Sequence, residues 1–574
     1  MQPTFPPPEA LRRPPIRLAD IAVVLGALTV LAILAKVGSG MFVGFTPPKL
    51  VPHISLDPHN LPGYAARSTL RMFIALFWSL LFTLVYGYAA ARSRRAERVL
   101  VPLLDVLQSV PVLGFLSITV TGFIALFPGS LIGLEFASIF AIFTAQAWNM
   151  TFSFYQSLRS VPKELDEAAS LYRFSAWQRF GKLELPWAMI PLVWNAMMSF
   201  GGGWFFLAAS ESISVLNQSY TLPGIGSYVA AAVAARNLHA LGYAVIAIAI
   251  VITIVDQLFW RPLVAWADRF RFEQSASAEP PRSWVYDLIR AADLPNAIDR
   301  AFGPARDWLT LRLVALTKPR EKASFEPGSM PDKVYNGALI LVTAALIAVA
   351  ADFVLRTVGV GEVGKVLLLG LATMGRVFIL LVFATLVWTP VGVAIGFNPR
   401  LARLAQPIAQ FLASFPANFV FPFATLAFIV YHIPINWGCI LLMALGAQWY
   451  ILFNAIAGAQ TVPTELREMT DDLEVRGWLR WRRLIIPGIF PSWVTGAITA
   501  SGGAWNASIV SEIVSWGSTT LTAFGLGTYI ADATSKGDWP RITLGVSVMS
   551  LFVVVINRVV WRRLYRLGET RFAR

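Results

Sequence analysis

The chain has 574 residues, 56% of them hydrophobic and only 14% charged, with a formal net charge of +14 at pH 7. Soluble domains carry about 25% charged residues, so this much apolar surface cannot be hidden from water in one soluble core, and lipid must solvate part of it. Disorder, collagen and a disulfide scaffold are excluded as well, since the one cysteine, Cys439, permits no intrachain bridge and His53, His59, His239 and His432 show no metal-ligand spacing.

A Pro-rich start (Pro6, Pro7, Pro8, Pro14, Pro15) leads into twelve apolar stretches long enough to cross a bilayer as helices. The first half is expected to span at 20–38, 69–90, 102–127, 131–155, 188–211 and 241–262. The second half is expected to span at 335–355, 373–397, 406–430, 435–457, 489–511 and 543–562. The first stretch follows Arg12 and Arg13 as a signal peptide would, but it is long and lacks a clean small-x-small site, so it is read as a retained span. With the N-terminus inside, 36 of the 47 Lys and Arg residues fall in cytoplasmic segments. The positive-inside rule therefore places both termini in the cytoplasm and assigns the basic excess to topology, leaving no surface for nucleic acid. The expected division is a cytoplasmic tail at 1–19, a first transmembrane unit at 20–262, a cytoplasmic connector at 263–334, a second unit at 335–562 and a basic tail at 563–574.

The second half restates the first. Val161-Pro162-Lys163-Glu164-Leu165 matches Val462-Pro463-Thr464-Glu465-Leu466, and the same offset carries Trp177 to Trp478, Pro186 to Pro487, Trp204 to Trp505 and Glu211 to Glu512. Nearer the start of each half the offset grows by four and carries Pro102 to Pro407 and Pro111 to Pro416. Six spans per half is an even number, so the halves share one orientation and are related by an axis along the membrane normal. The fold class is an all-α membrane protein of two tandem six-helix repeats, about twelve transmembrane helices, arranged as a pseudo-dimer around a central path.

Between the fourth and fifth spans of each half lies a polar loop. Ser160 can cap a helix, Pro162 is tolerated in a first turn, and Glu164, Asp166 and Glu167 complement the positive helix end. A short helix with small side chains at Ala168 and Ala169 suits a groove on a partner. Here the sequence resembles the inner-membrane permeases of binding-protein-dependent ABC importers, of the type I architecture, whose signature loop reads Glu-Ala-Ala, three residues, Gly, about nine residues, an apolar residue and Leu-Pro. Glu167-Ala168-Ala169 and Leu185-Pro186 match it. In the second loop Glu468 matches, Met469 and Thr470 replace the alanines, and Ile486-Pro487 replaces Leu-Pro. The Gly position is Arg173 in one half and Glu474 in the other, with Gly477 nearby.

The resemblance implies a permease that hydrolyses nothing itself. Two cytoplasmic ABC ATPase subunits, which carry the ATP and Mg, would dock on Glu164, Glu167, Ala168, Ala169 and Arg173 and on Glu465, Glu468, Glu474 and Gly477. A periplasmic or extracellular solute-binding protein would deliver the substrate. No cofactor is expected in this chain, and its setting is the lipid of a bacterial inner membrane. The phrasing around Ser-Val-Pro and Leu-Glu-Leu-Pro looks most like the nitrate, sulfonate, taurine and bicarbonate branch, which implies a small anion.

Glu211 and Glu512 stand seven residues after Trp204 and Trp505, on the same helix face. Ionisable groups in lipid face a cavity or a partner, so these four are candidates for the translocation path, against a bland alternative of carboxylates capped by Ser210 and Ser511. Gly201-Gly202-Gly203 and Gly502-Gly503 read as close helix packing. Residues 359–365 satisfy Gly-x4-Gly-Lys, but Val366 stands where a Mg-binding hydroxyl is needed and no βαβ pattern surrounds it, so phosphate binding is set aside. The rival function is a twelve-helix secondary transporter driven by an ion gradient, which needs no repeated Glu-rich loop.

Overall fold

Backbone polar groups in lipid must pair internally, and helices do this within one segment. The computed structural model describes residues 18–39, 41, 53–109, 112, 116–215, 218–270, 283–292, 294–316 and 330–568. The Pro-rich start at 1–17, Pro111 and residues 569–574 lie outside them. In the first half, α1 (Leu18–Ser39), α2 (Leu61–Phe82), α3 (Tyr88–Arg92), α4 (Arg94–Ser109), α5 (Leu116–Leu126) and α6 (Ile132–Arg159) precede the short helices α7 (Lys163–Leu171) and α8 (Ala176–Arg179). Next come α9 (Leu185–Glu211), the strands β1 (Ser212–Val215) and β2 (Gln218–Thr221), and α10 (Ile225–Ala234), α11 (Leu238–Val255) and α12 (Arg261–Ala267). The connector contributes α13 (Trp284–Ala291) and α14 (Leu294–Leu316).

The second half runs through α15 (Met330–Val358), α16 (Val360–Phe397), α17 (Pro399–Ser414), α18 (Phe421–Val430), α19 (Ile435–Gln460), α20 (Thr464–Asp472) and α21 (Gly477–Arg480). It ends with α22 (Ile486–Ser511), β3 (Ile513–Trp516), β4 (Thr519–Thr522), α23 (Leu526–Lys536), α24 (Trp539–Ile556) and α25 (Arg562–Leu567). The repeat extends to the irregularities. Both halves close α9 or α22 with a four-residue antiparallel hairpin, Ser212 opposite Thr221 and Ile513 opposite Thr522. Each also carries π-helical turns at equivalent places, Phe180–Glu184 with Trp481–Ile485 and Asp256–Trp260 with Asn557–Trp561. The chain is an all-α membrane fold in two tandem repeats, and these hairpins are the only strands among the described residues.

Eight helical segments among the described residues are long and apolar enough to cross a membrane. Two expected spans are not single helices. The stretch 102–127 is divided between α4 and α5, and 406–430 is divided between α17 and α18 by a 3-10 turn at Ala417–Phe419. Pro416 caps that turn and explains the second break, since proline has no N–H to continue a helix and biases the residue before it away from helical geometry. Averaged hydropathy does not register such punctuation. Helix α6 is 28 residues long but too polar to count among the eight, carrying Glu135, Gln146 and Asn149. The Gly-Lys segment opens α16, with Gly359 as its N-cap at φ 83°.

The described residues divide into two compact units. The smaller takes those within 1–37, 161–193 and 254–321, and in it α8 lies against α14 while α12 lies against α13. The larger takes those within 38–160, 194–253 and 322–574 and contains one continuous apolar core drawn from both halves, including Leu134, Leu222, Val377, Ile451, Trp505 and Leu526.

Within the larger unit the halves meet through related contacts. The backbone N–H of Val112 donates to Asn506 Oδ1 (3.1 Å), and Asn418 Nδ2 donates to the Phe205 carbonyl (3.0 Å). Phe205 and Asn506 are equivalent positions of the repeat, as are Val112 and Ala417, next to Asn418. This reciprocity is what a twofold relation requires. A Cβ at Gly201 would lie 2.8 Å from Ser414 Oγ, and one at Gly203 would lie 2.9 Å from Gln146 Nε2, so both glycines serve close packing, whereas Gly502 faces open space.

A close crossing joins α16 to α19. Cβ atoms added at Gly392 and Gly396 would each stand 2.6 Å from the Cβ of Ala455 and Ala459 respectively, a small-x3-small pair on both helices that lets backbones approach in lipid. Replacing both glycines with Ile is expected to cost about 2 kcal/mol or more, as overpacking does. Thermal unfolding of the purified double variant should show a lower midpoint, whereas Gly375→Ile, where no atom lies within 4 Å of the added Cβ, should not.

Candidate coupling loops and buried charge pins

Each polar loop folds as a nine-residue helix, a left-handed turn and a four-residue helix that leads through a π turn into α9 or α22. The first helix begins at Lys163, with Pro162 as an N-cap that offers no side-chain bond. Ser160 does not cap it, because its hydroxyl is turned back to the Ser157 carbonyl (3.0 Å). Helix α7 ends with the amide of Arg173 donating to the Ser170 carbonyl and that of Phe174 donating to Ala169 (both 3.0 Å). Helix α20 ends the same way, Glu474 to Asp471 (3.0 Å) and Val475 to Thr470 (2.8 Å). In this C-terminal motif the residue after the cap adopts left-handed geometry. Arg173 and Glu474 both do so, at φ 49°.

Glu164, Glu167 and Arg173 are exposed, as are Glu465, Glu468, Glu474 and Gly477. Ala168 is half-buried and Ala169 buried, as is its counterpart Thr470. The small residue at that position therefore packs against its own chain. Around the exposed acids stand large apolar side chains in the open, Leu171 and Tyr172 on the first loop and Leu473 and Trp478 on the second. The two loops are braced differently. Arg179 pairs with Asp166 and, at 3.1 Å, with Glu184, while the equivalent Arg480 pairs with Asp471 at 2.6 Å because Arg467 and Ile485 stand where the first loop has those acids.

The carboxylates at the ends of α9 and α22 lie in a different environment from the exposed loop acids. Arg71, fully buried on α2, donates to both oxygens of Glu135 on α6 (2.5 and 2.8 Å), to Glu211 Oε1 (2.6 Å) and to the Pro223 carbonyl (3.0 Å). Glu211 also accepts from the Ser68 hydroxyl (2.5 Å) and the Gly226 amide (2.6 Å), and the Ile225 amide donates to Ser68 (3.0 Å). The second half rebuilds the site. Arg376 donates to Glu512 (2.7 Å), to the side chain and backbone oxygens of Asn436 (2.8 and 3.1 Å) and to the Phe524 carbonyl (3.0 Å). Thr373 replaces Ser68, donating to Glu512 (2.8 Å) and accepting from the Leu526 amide (2.9 Å), and the Gly527 amide donates to Glu512 (2.8 Å).

In both halves the carboxylate thus satisfies donors that the first turn of α10 or α23 would otherwise leave orphaned, and its charge complements that helix end. Cβ atoms at Gly224 and Gly525 would overlap the two carboxylates, which is why both positions are glycine. Glu211 and Glu512 are each held by the arginine of their own half. Trp204 and Trp505 are enclosed too, at 2% and 1% exposure. The serines expected to cap them do not: Ser210 bonds to Ser138 (2.8 Å) and to the Leu207 carbonyl. Arg71, Glu135, Arg376 and Asn436 escaped the sequence reading. Their signal was present in the offset that carries Ser68-x2-Arg71 onto Thr373-x2-Arg376.

The family model of the binding-protein-dependent transport system inner membrane component matches residues 83–260 and again 388–573, more than half of the chain. This chain belongs to that family. A bicarbonate transport system permease protein of Synechocystis sp. is 28% identical over 189 residues, 33% of this chain and 64% of its own length. A putative aliphatic sulfonates transport permease protein of Bacillus subtilis is 27% identical over 184 residues, 30% and 63%. A taurine transport system permease protein of Escherichia coli is 28% identical over 198 residues, 34% and 68%. The chain spans under two thirds of the length of the first two. The twofold family match is the duplication, and the family's description makes the chain a multi-pass inner-membrane component. In this chain both loop positions where the family signature has glycine keep the left-handed conformation that glycine adopts at no steric cost.

Two outcomes follow from this geometry. Arg173→Gly and Glu474→Gly should each stabilise the protein by about 1 kcal/mol, because a non-Gly residue in left-handed geometry costs about 1–2 kcal/mol; thermal unfolding midpoints check this. Glu512→Gln should destabilise more than Glu211→Gln. Breaking a buried ion pair costs about 3–5 kcal/mol, and Glu512→Gln leaves Arg376 with no carboxylate, whereas Arg71 keeps Glu135. Equal losses in the two variants would contradict the difference between the pins.

Proposed function

We propose that this chain is the permease of an ATP-driven importer, forming the translocation path and drawing its energy from two cytoplasmic ATPase subunits that dock on α7 and α20. The observation that carries the reading is the matched loop pair. Two copies of one short helix present an exposed glutamate, Glu167 or Glu468, beside exposed large apolar side chains, on a chain whose two family matches each include one loop. Acidic and apolar groups on a short helix suit a groove lined by the opposite charge. Glu164, Ala168, Ala169 and Arg173 belong to the first docking helix and its turn, and Glu465, Glu474 and Gly477 to the second.

The path runs where the halves meet, along the Gly201–Phe205 and Gly502–Asn506 faces of α9 and α22. Both termini and both loops lie in the cytoplasm, with residues 20–262 and 335–562 as the two transmembrane units and 263–334 as the cytoplasmic connector. ATP and Mg belong to the partner subunits, and a solute-binding protein delivers the substrate from outside. Bicarbonate, sulfonate and taurine in the relatives' names support a small anion as the cargo. Because two units in one chain already supply two docking helices, one copy completes the complex. Glu211 and Glu512 hold the outer hairpins and α10 and α23 in place, with no direct role in lining the path.

Closure of the ATPase dimer draws the two docking helices together and rocks one half against the other. Glu167→Lys with Glu468→Lys should abolish co-purification of the ATPase and reduce substrate-stimulated ATP hydrolysis by about tenfold or more, since like-charge contacts at a docked interface cost several kcal/mol. Undiminished stimulated hydrolysis in the double variant would remove the docking role. ATP-independent uptake into vesicles, driven by an ion gradient alone, would instead establish a secondary transporter.

A further inference from the structure

The two halves act as internal controls for one another, and a groove in the first half lacks the matching residues in the second. Along the membrane-spanning part of the larger unit runs an almost wholly apolar groove of about 580 Å³. Trp78, Phe82, Tyr86 and Ala89 form one wall, spaced by three and four residues so that they share a helix face, and Phe140 and Phe143 of α6 form another. Phe82 and Phe143 meet edge to face, with ring centroids 5.6 Å apart. Trp78 is 49% exposed, so the groove opens outward from its helices. The equivalents of Phe82, Tyr86, Phe140 and Phe143 are Val387, Val391, Leu441 and Ala444. Trp78, Phe123 and Phe136 keep aromatic counterparts in Phe383, Phe428 and Trp437, so what the first half adds is the four rings of Phe82, Tyr86, Phe140 and Phe143.

Charge adds a second observation. The helix face that ends in Ala89 continues to Arg92, where the helix stops, and α4, which contributes Leu100 to the groove, opens with Arg94, Arg95 and Arg98. Arg159 lies 3.8 Å from Glu97, the one acid in this stretch, which also accepts from the Tyr155 hydroxyl (2.6 Å). Arg94 and Arg95 are exposed. In the second half Phe397 and Pro399 stand at the positions of Arg92 and Arg94, while Arg400 and Arg403 keep those of Arg95 and Arg98, so the second half has half of the cluster. Arginines clustered at one end of an intramembrane apolar groove match a molecule with an anionic head and a long apolar tail, and basic clusters at a membrane edge select anionic lipid.

We propose that this groove holds an acyl chain of an anionic phospholipid, whose phosphate sits against the arginines between Arg92 and Arg98. A zwitterionic lipid would fill the apolar walls equally well but carries no net charge to favour the basic end.

The test uses the full-length chain in nanodiscs of equal phosphatidylglycerol and phosphatidylethanolamine, released into the gas phase for native mass spectrometry. The wild type should retain one phosphatidylglycerol in preference to phosphatidylethanolamine. Arg94→Gln with Arg95→Gln, both on the exposed surface, should lower that preference by about tenfold or more, and Ala89→Trp, which fills the groove, should remove the retained lipid. The second-half changes Arg400→Gln with Arg403→Gln, at the positions of Arg95 and Arg98, and Ala394→Trp, at that of Ala89, should leave retention unchanged. Equal retention of the two lipids by the wild type overturns the proposal. So does an unaltered preference in the arginine variant, unaltered retention in Ala89→Trp, or an equal loss in the second-half controls.

Discussion

A guanidinium buried against a carboxylate is the contact on which the hairpin end of each half depends. Arg71 comes from α2 and Arg376 from α16, Glu211 and Glu512 from the end of the helix that follows the polar loop, and the amides of α10 and α23 complete the shell. Removing such charges from water is expensive, and the cost is offset only when every oxygen and N–H finds a partner. Here the partners are supplied from three separate elements, so the pin fixes their mutual placement. The hairpins β1–β2 and β3–β4 lie between pinned points and inherit their position from them.

The same fold satisfies this constraint with unequal charge. The first pin sets one arginine against two carboxylates, and the second substitutes Asn436 for Glu135, an amide in place of an acid. The polar loops diverge in the same manner. Their backbones share a left-handed turn, yet Arg179 on α8 is tied to the first turn of α7 through Asp166 and Arg480 on α21 to the last turn of α20 through Asp471. Duplication has preserved geometry while side-chain partners have drifted. The result is two loop helices of similar shape and different bracing, together with an aromatic groove beside arginines in the first half.

Contacts between the halves show how the duplicated unit becomes one body. Phe205 and Asn506 are equivalent residues that meet neighbouring equivalent positions across the junction, and the apolar core passes from one half to the other without interruption. In lipid the hydrophobic effect does not drive helices together, so close packing through small residues and a few interhelical hydrogen bonds must do so. Gly201 against Ser414, and Gly392 and Gly396 against Ala455 and Ala459, are the places where this is visible.

Much of this was legible in the sequence. Membrane solvation followed from composition, the duplication from matched Trp, Pro, Gly and Glu positions, and the short loop helices from their acidic first turns, because these depend on local periodicity and on residues close along the chain; the cap expected of Ser160 did not form. The interrupted stretches at 102–127 and 406–430 were hidden by averaged hydropathy, although Pro416 marked one of them. What tertiary structure alone decided was the partner of each buried charge. Glu211 and Arg71 are 140 positions apart, and no local pattern states that a carboxylate at a helix end will meet an arginine from a distant helix and not a neighbouring serine. The alanines of the loop carried the same ambiguity, since a small residue can admit a partner or its own chain, and the burial of Ala169 chose the second.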